Sequence, residues 1–462
     1  MTYKDFLKQK TTITPAAGIT VSKDDINPQL FDFQRDIVRW SLKKGRSAIF
    51  AGCGLGKTPM QLEWARHVHD QTHGDVLILA PLAVASQTVQ EGRKFGIDVS
   101  LCRKQTDIKH GINITNYEML QHFIPENFAG VVLDESSILK SYSGATRNEI
   151  INAFKNTPYR LACTATPAPN DHMELGNHSE FLGVMTRSEM LSMFFVHDGG
   201  NTAKWRLKGH AQKKYWEWVA SWAVMMQRPS DLGYEDGKFI LPELKIEQIT
   251  LHVGKPNAGE LFPVVAETLQ ERQRARSSTV EERAAKCAEI ANRDDEPMIA
   301  WCNLNAESEE LARQIHGAVE IRGSNTPEQK EERMNDFSDG TITKLVTKPS
   351  IAGFGMNWQH CAKMAFVGLS DSFEEYYQAV RRCWRFGQEK PVEVYVITAD
   401  TEGAVVENIK RKEADFETML KGMISATQEI TKHNINETVR ETTEYNPQVE
   451  MALPEWLKGE AA

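Results

Sequence analysis

The chain has 462 residues, 41% of them hydrophobic and 25% charged, with a formal net charge of −9. This composition is that of a soluble globular protein of roughly two to four domains. It argues against a protein that coats DNA by bulk charge, although a local basic groove remains compatible with it. No run approaches the ~18 apolar residues of a membrane-spanning helix, and the start, MTYKDFLKQK, lacks the apolar core of a secretory signal.

Residues 1–27 are polar and without a clear period, and read as an N-terminal extension. From Leu30 onward short apolar runs alternate with amphipathic helices, the pattern of a parallel sheet covered by helices. A first lobe is expected over 28–184, with strands at Ser47–Phe50, Val76–Ala80, Ile112–Ile114, Val131–Leu133 and Leu161–Thr164.

Over 185–245 the alternation fails and aromatics accumulate: Phe194, Phe195, Trp205, Tyr215, Trp216, Trp218 and Trp222. Between Asn201 and Lys214 stand Lys204, Arg206, Lys208, His210, Lys213 and Lys214 with no acidic residue. The segment reads as a helical insertion, a protrusion with an aromatic core and a basic rim suited to phosphates.

A second alternating block, 246–424, has strands expected at Met298–Trp301, Ala318–Ile321, Thr343–Val346, Met364–Val367 and Val392–Ile397. Its last element, Gly403–Ile424, reads as an amphipathic helix with Val405, Ile409, Phe416 and Leu420 on one side, packed on the second lobe. Residues 425–462 are polar and read as a flexible tail, whose apolar cluster Met451–Leu457 either docks a protein partner or folds back. The seven cysteines include no C-x-x-C pair, so neither a disulfide framework nor a zinc finger is expected, and a reduced cytoplasm fits.

The most informative motif is AGCGLGKT, Ala51 to Thr58, at the end of the first apolar run. Gly52, Gly54 and Gly56 let the backbone bend around an anion with inward N–H groups, and the helix that follows offers its positive end. In such a loop Lys57 reaches the β- and γ-phosphates of a nucleotide and the Thr58 hydroxyl holds Mg²⁺. The strand Val131–Leu133 ends in Asp134-Glu135-Ser136-Ser137. Asp134 suits a second Mg²⁺ ligand, and Glu135 can orient or deprotonate an attacking water. ATP and Mg²⁺ are therefore the expected cofactors.

Taken in order, the motifs over residues 28 to 424 resemble the Swi/Snf-like branch of superfamily-two helicases and translocases. Leu30-Phe31-Asp32-Phe33-Gln34 resembles the segment whose glutamine reads adenine, and Gly54-Leu55-Gly56-Lys57-Thr58 the phosphate loop. Ala80-Pro81-Leu82-Ala83, Asn116-Tyr117-Glu118-Met119-Leu120 and Thr164-Ala165-Thr166-Pro167 are similar to the motifs that follow, the last coupling the lobes. In the second block Gly353-Phe354-Gly355-Met356-Asn357 and Gln378-Ala379-Val380-Arg381-Arg382-Cys383-Trp384-Arg385-Phe386-Gly387-Gln388 complete the series.

The resemblance implies two tandem RecA-like P-loop lobes. Gln34, Gly355 and Gln378 would contact nucleotide, and Arg382 and Arg385 would reach across the cleft as arginine fingers. Two departures stand out: Ser137 occupies the histidine position of Asp-Glu-Ala-His, and Trp384 replaces another histidine. The first removes a group that helps couple hydrolysis to the inter-lobe segment.

In motors of this kind nucleic acid lies across both lobes. The matching positions are Ser86, Gln87, Asn116, Tyr117, Asn303, Ser350 and Asn357, with Lys204 and Arg206 on the insertion. The resemblance favours an ATP-driven translocase on double-stranded DNA. A strand-separating DNA or RNA helicase and an ATP-controlled DNA-binding module are the alternatives.

Overall fold

The computed structural model describes residues 17–81, 84–140, 144–169, 171–198, 201–252, 276–353, 356–370, 372–400 and 403–439. The first lobe is built on β1 (Arg46–Ala51), β2 (Asp75–Ala80), β3 (Val99–Leu101), β4 (Ile112–Asn116), β5 (Phe128–Asp134) and β6 (Tyr159–Thr164). Apart from the edge strand β3, these runs are rich in Val, Ile, Leu and Ala and are buried on both faces, as strands of a helix-covered parallel sheet must be. A hairpin, β7 (Phe195–Asp198) with β8 (Asn201–Leu207), follows, and then β9 (Ala223–Met226). The sheet is seven-stranded in the order β3-β4-β2-β5-β6-β1-β9. Its pairings are parallel, and β1, which feeds the phosphate loop, lies between β6 and β9.

The second lobe has β10 (Leu244–Leu251), β11 (Met298–Trp301), β12 (Ala318–Glu320), β13 (Lys344–Thr347), β14 (Lys363–Phe366) and β15 (Val392–Ala399). They form a parallel six-stranded sheet in the order β10-β15-β14-β11-β13-β12. The expected pair of RecA-like lobes is thus present, and each strand read from the sequence has its ends within three residues of the observed ones.

The segment between the lobes is mixed rather than wholly helical. The helices Arg187–Phe194 and Gln212–Ala220 flank the hairpin, and β9 completes the first sheet. Tyr215, Trp216, Trp218 and Trp222 are buried in the same cluster as Ala48 and Phe50 of β1. The aromatics are therefore core, as expected, but the core of the first lobe and not of a separate protrusion. The physical reason is area: rings this large need a sheet to bury them, and a single short helix cannot provide it. The basic rim is also partly used up, since Lys208 Nζ donates to the carbonyls of Ser192 at 2.9 Å and Met193 at 3.1 Å.

The last helix, Gly403–Val439, overruns the tail boundary expected at 425. It bridges the lobes: Phe416 packs against Phe373 and Tyr377 of the second lobe, while Ile435 sits in the first-lobe cluster with Ile37 and Leu232. Asn434 Nδ2 donates to Ala220 O at 3.2 Å. Polar Thr427 hid this continuation, but its hydroxyl bonds Met423 O at 2.8 Å, which lets it be buried inside a helix. The cluster Met451–Leu457 lies outside the described residues. Among the described residues no helix is long and apolar enough to cross a membrane.

One buried ion pair organises the second lobe. Arg283, on the helix Val280–Ala291, donates Nη1 to Glu307 Oε1 at 2.6 Å, and both side chains are fully buried. Arg283 also reaches the carbonyl of Val367 beyond β14, and Glu307 Oε2 accepts the N–H groups of Asn303 at 2.8 Å and Leu304 at 2.9 Å. Removing one partner strands the other's charge away from water. Glu307→Ala is therefore expected to lose about 3–5 kcal/mol, read as a lower urea midpoint for the second-lobe transition.

Candidate functional site

The phosphate loop leaves β1 at Ala51 and enters the helix Lys57–Thr72 at its N-terminus. Gly54 and Gly56 have φ of 87° and 76°, a left-handed backbone that a side chain would strain. Space makes the same demand. A β-carbon on Gly54 would stand 2.7 Å from Phe386 N, and one on Gly56 would stand 2.2 Å from Gln34 Nε2. The loop is thus pressed on one side by Gln34 and on the other by the second lobe. Gly52 departs from its expected part in an anion nest. Its N–H donates to Met226 O at 2.9 Å, extending the β1–β9 ladder, so it faces the sheet edge and not the cradle.

Around this loop lies a cavity of about 280 Å³ shared by both lobes. Gln34, Gly54, Gly56, Lys57, Thr58, Asp134 and Glu135 line it from the first lobe, and Asn357, Arg382, Arg385 and Phe386 from the second. Lys57 Nζ rests on Ala51 O at 3.1 Å. At one end Phe31, Phe239 and Phe386 gather, with centroids 4.9 Å apart for Phe31–Phe239 and 4.7 Å for the stacked Phe239–Phe386. Gln34 stands beside them, donating Nε2 to Leu55 O at 2.9 Å and accepting from Phe31 N at 3.0 Å. A flat aromatic slot next to an amide suits a purine, and the anion cradle at the other end suits its phosphates.

The two carboxylates at the tip of β5 are differently held. Asp134 is buried and accepts from Gln61 Nε2 at 2.7 Å. Burial first, and the Glu135 charge second, lift its carboxyl to about 6, against the pull of Gln61 and Lys57. Glu135 has φ of 52°, uncommon for a residue with a side chain, and such strain persists only where surroundings over-determine it. Thr164 Oγ1 donates to Glu135 Oε2 at 3.2 Å. Next to it Ser136 Oγ lies 3.1 Å from Nε2 of His178, whose ring meets Phe50 edge-on. Burial lowers His178 to about 4, so the imidazole is neutral near pH 7.

On the facing side Arg382 is buried and bound within its own lobe: Nε to Gln378 O at 3.0 Å, Nη1 to Met356 O at 3.1 Å, Nη2 to Gln378 Oε1 at 2.9 Å. The side-chain oxygen of Gln378 is thereby occupied with Arg382 and Cys53, and the residue does not line the cavity. Arg385 makes one bond to Met356 O at 3.2 Å. Burial and then the Arg382 charge draw it down to about 10, while Glu135 pulls the other way. Arg381 is stacked over Trp384 at 4.2 Å, and Trp384 Nε1 donates to Pro242 O at 2.7 Å. The tryptophan that replaces a histidine thus pins the inter-lobe linker.

The expected nucleic-acid positions divide. Ser86, Gln87 and Asn116 line a second inter-lobe cavity of about 380 Å³, opposite Ile351 and Met356. Asn357 lies instead on the wall of the nucleotide-sized cavity. Tyr117 is buried, not presented outward, because its hydroxyl donates to Asp134 O at 2.7 Å and braces the carboxylate strand. Arg206 and Ser350 are exposed, and the backbone of Asn303 caps Glu307. Gly355 and the Lys204 side chain lie outside the described residues.

Sequence reasoning passed over Gln61, His178, Phe239, Phe386 and Glu374. Gln61 stands four residues after Lys57, and Glu374 four before Gln378, so helical spacing alone places each on the face of a residue already singled out.

Two parallel-sheet lobes closed on a glycine-rich anion cradle define a tandem RecA-like core. Within it, residues 282–387 match the helicase conserved C-terminal domain family. No curated protein matches the chain. Among solved structures, the Sulfolobus solfataricus SWI2/SNF2 ATPase core in complex with dsDNA is similar to it at 15% identity, over 91% of this chain and 98% of that one, with a TM-score of 0.43.

Thr58 and Asp134 both line this cavity and are its candidate ligands for a divalent cation, a role that requires Asp134 ionised. With its carboxyl lifted to about 6, cation-dependent nucleotide binding is expected to weaken as pH falls through that value. Gln61→Leu removes a bond that favours the charged form, so the midpoint should move upward. Binding of Mg²⁺-nucleotide measured between about pH 5 and pH 8 checks both signs.

Proposed function

We propose that this chain is an ATP-dependent nucleic-acid motor, hydrolysing ATP between its lobes to move along duplex DNA. The observation that carries the reading is the shared cavity, which Lys57, Asp134 and Glu135 enter from one lobe and Arg382 and Arg385 from the other. A hydrolytic site split in this way turns over only when the lobes close, which is how hydrolysis becomes motion. The helicase C-terminal domain in the second lobe supports the same class.

Each group has a role that its chemistry suits. Lys57 and the backbone at Gly54 and Gly56 take the β- and γ-phosphates, with the positive helix end behind them. Thr58 and Asp134 hold Mg²⁺, whose charge offsets that of the triphosphate. Glu135 orients the attacking water and accepts its proton. Arg385 stabilises charge on the transferring phosphoryl group, and Arg382, tied to Gln378 and Met356, sets the segment that presents it. Gln34 and the three phenylalanines take the adenine. The choice of duplex DNA rests on the Swi/Snf-like motifs at Gly54–Thr58 and Gln378–Gln388.

Lys57→Ala is expected to abolish ATP hydrolysis. Glu135→Gln should still bind ATP while turnover disappears, and loss of binding would count against its role. Arg385→Ala should slow hydrolysis by about 10³-fold or more with nucleotide affinity largely kept. ATPase rates with duplex DNA, single-stranded DNA and RNA, measured side by side, test the substrate. Stimulation by duplex, together with displacement of a triplex-forming strand, is the expected result. Stimulation only by forked or single-stranded substrates would replace the translocase with a strand-separating helicase.

A further inference from the structure

Glu374 opens the second-lobe helix Phe373–Val380 and is 5% exposed, yet both its oxygens are bound by the first lobe. Oε2 is paired with Lys140 Nζ, and Oε1 accepts from Thr166 Oγ1 at 3.2 Å. The contacts continue inward. Thr166 N donates to Thr164 Oγ1 at 3.1 Å, and Thr164 Oγ1 donates to Glu135 Oε2 at 3.2 Å. Lys140 ends the short turn Ser136–Lys140, which begins directly after Glu135. Asn177 Nδ2 holds that turn through the carbonyls of Leu139 at 2.8 Å and Lys140 at 3.1 Å. The side chain of Glu135 and the backbone behind it are thus linked to one carboxylate on the opposite lobe.

We propose that Glu374 is a positioning residue that lets closure of the second lobe set the orientation of Glu135. This rests on the reading of the cleft as an ATPase site. The arrangement is directional, because the Thr166 hydroxyl donates and position 374 must therefore accept. It also addresses the Asp-Glu-Ser-Ser departure. Ser137 leaves no histidine beside the carboxylates, and Ser136 is engaged with buried His178 inside the first lobe. Lys140, Thr166 and Glu374 supply a cross-lobe connection by another route. Glu135 needs such support, since its left-handed backbone does not hold its place unaided. When the lobes separate, Thr166 loses its acceptor and Lys140 its partner, and the strand end that carries Thr164 and Glu135 loses its tie to the second lobe.

The alternative is a simple latch, in which the Lys140–Glu374 pair holds the lobes together and Thr166 is incidental. ATPase kinetics of the full chain with saturating duplex DNA separate the two. Under the relay, Glu374→Ala and Thr166→Val each lower kcat by at least about tenfold, with KM for ATP within about twofold, while Thr166→Ser stays near wild type. The double exchange Lys140→Glu with Glu374→Lys restores an ion pair but no acceptor, so it should remain slow. Recovery of kcat in that exchange, or a Thr166→Val kcat within about twofold of wild type, overturns the relay in favour of the latch. Thermal melting of each variant separates lost alignment from lost folding, and the small Thr166→Val change keeps the test open if Glu374→Ala fails to fold. Absence of ATP hydrolysis in the wild-type chain would instead remove the ATPase reading.

Discussion

Between the phosphate loop and the arginine segment there is no room for a single methyl group. A β-carbon on Gly54 would sit 2.7 Å from the backbone nitrogen of Phe386, so the two lobes meet almost backbone to backbone at this point. That contact brings Arg385 into the same enclosed space as Glu135 and Asp134. Within that space the charged groups are perturbed by burial and by their nearest charged neighbours. Burial and Arg382 depress Arg385, and burial and Glu135 lift Asp134, because charges removed from water are felt by every neighbour. Neither half is at ease alone: the cationic segment wants an anion, and the strained carboxylate turn wants bracing. A triphosphate with its cation, as proposed, would answer the first need, and contacts across the lobes answer the second.

The parts of this arrangement that are short and local were legible in the sequence. A strand followed by Gly-Leu-Gly-Lys-Thr announces a cradle, because the glycines are needed for φ values that other residues resist. Five strands in each lobe could be read from short apolar runs. What escaped were features created by long-range packing. β9 reads as part of an aromatic insertion, yet Ala223–Met226 pairs with β1, and its Met226 carbonyl takes the N–H of Gly52. Tyr117 sits in a motif that resembles a nucleic-acid loop, and only the fold shows its hydroxyl on Asp134 O. The continuation of the last helix past Ile424 was concealed by Thr427 and Thr431, polar residues that are buried because the helix lies across both lobes. Glu374 looks like one more acidic residue in a helix's first turn, and no local pattern says that Lys140 and Thr166 will meet it.

The cross-lobe contacts differ in depth, and this bears on how the molecule opens. Around the second cavity the lobes are joined by Ser86 with Glu331 at 2.5 Å and by Arg103 with Glu328 at 3.1 Å. The arginine pair is more than half exposed on each side, and water replaces such partners readily. Near the nucleotide-sized cleft the joint is Glu374, nearly out of reach of solvent, and separating it leaves a carboxylate to be rehydrated. Water therefore competes with the contacts around Ser86, Gln87 and Asn116 before it reaches Glu374. In the proposed motor the cavity edged by Ser86, Gln87 and Asn116 is where nucleic acid would enter. Arg103 and Lys330 line it together with Glu331, and Glu328 is paired with Arg103, so a bound strand would favour the arrangement in which the acids have moved aside and the cations are free. In the proposed relay, Glu374 is the group that would carry such a change inward to Glu135. Exposed, weakly held polar contacts at the mouth and a buried carboxylate at the root give the two lobes a direction in which to respond.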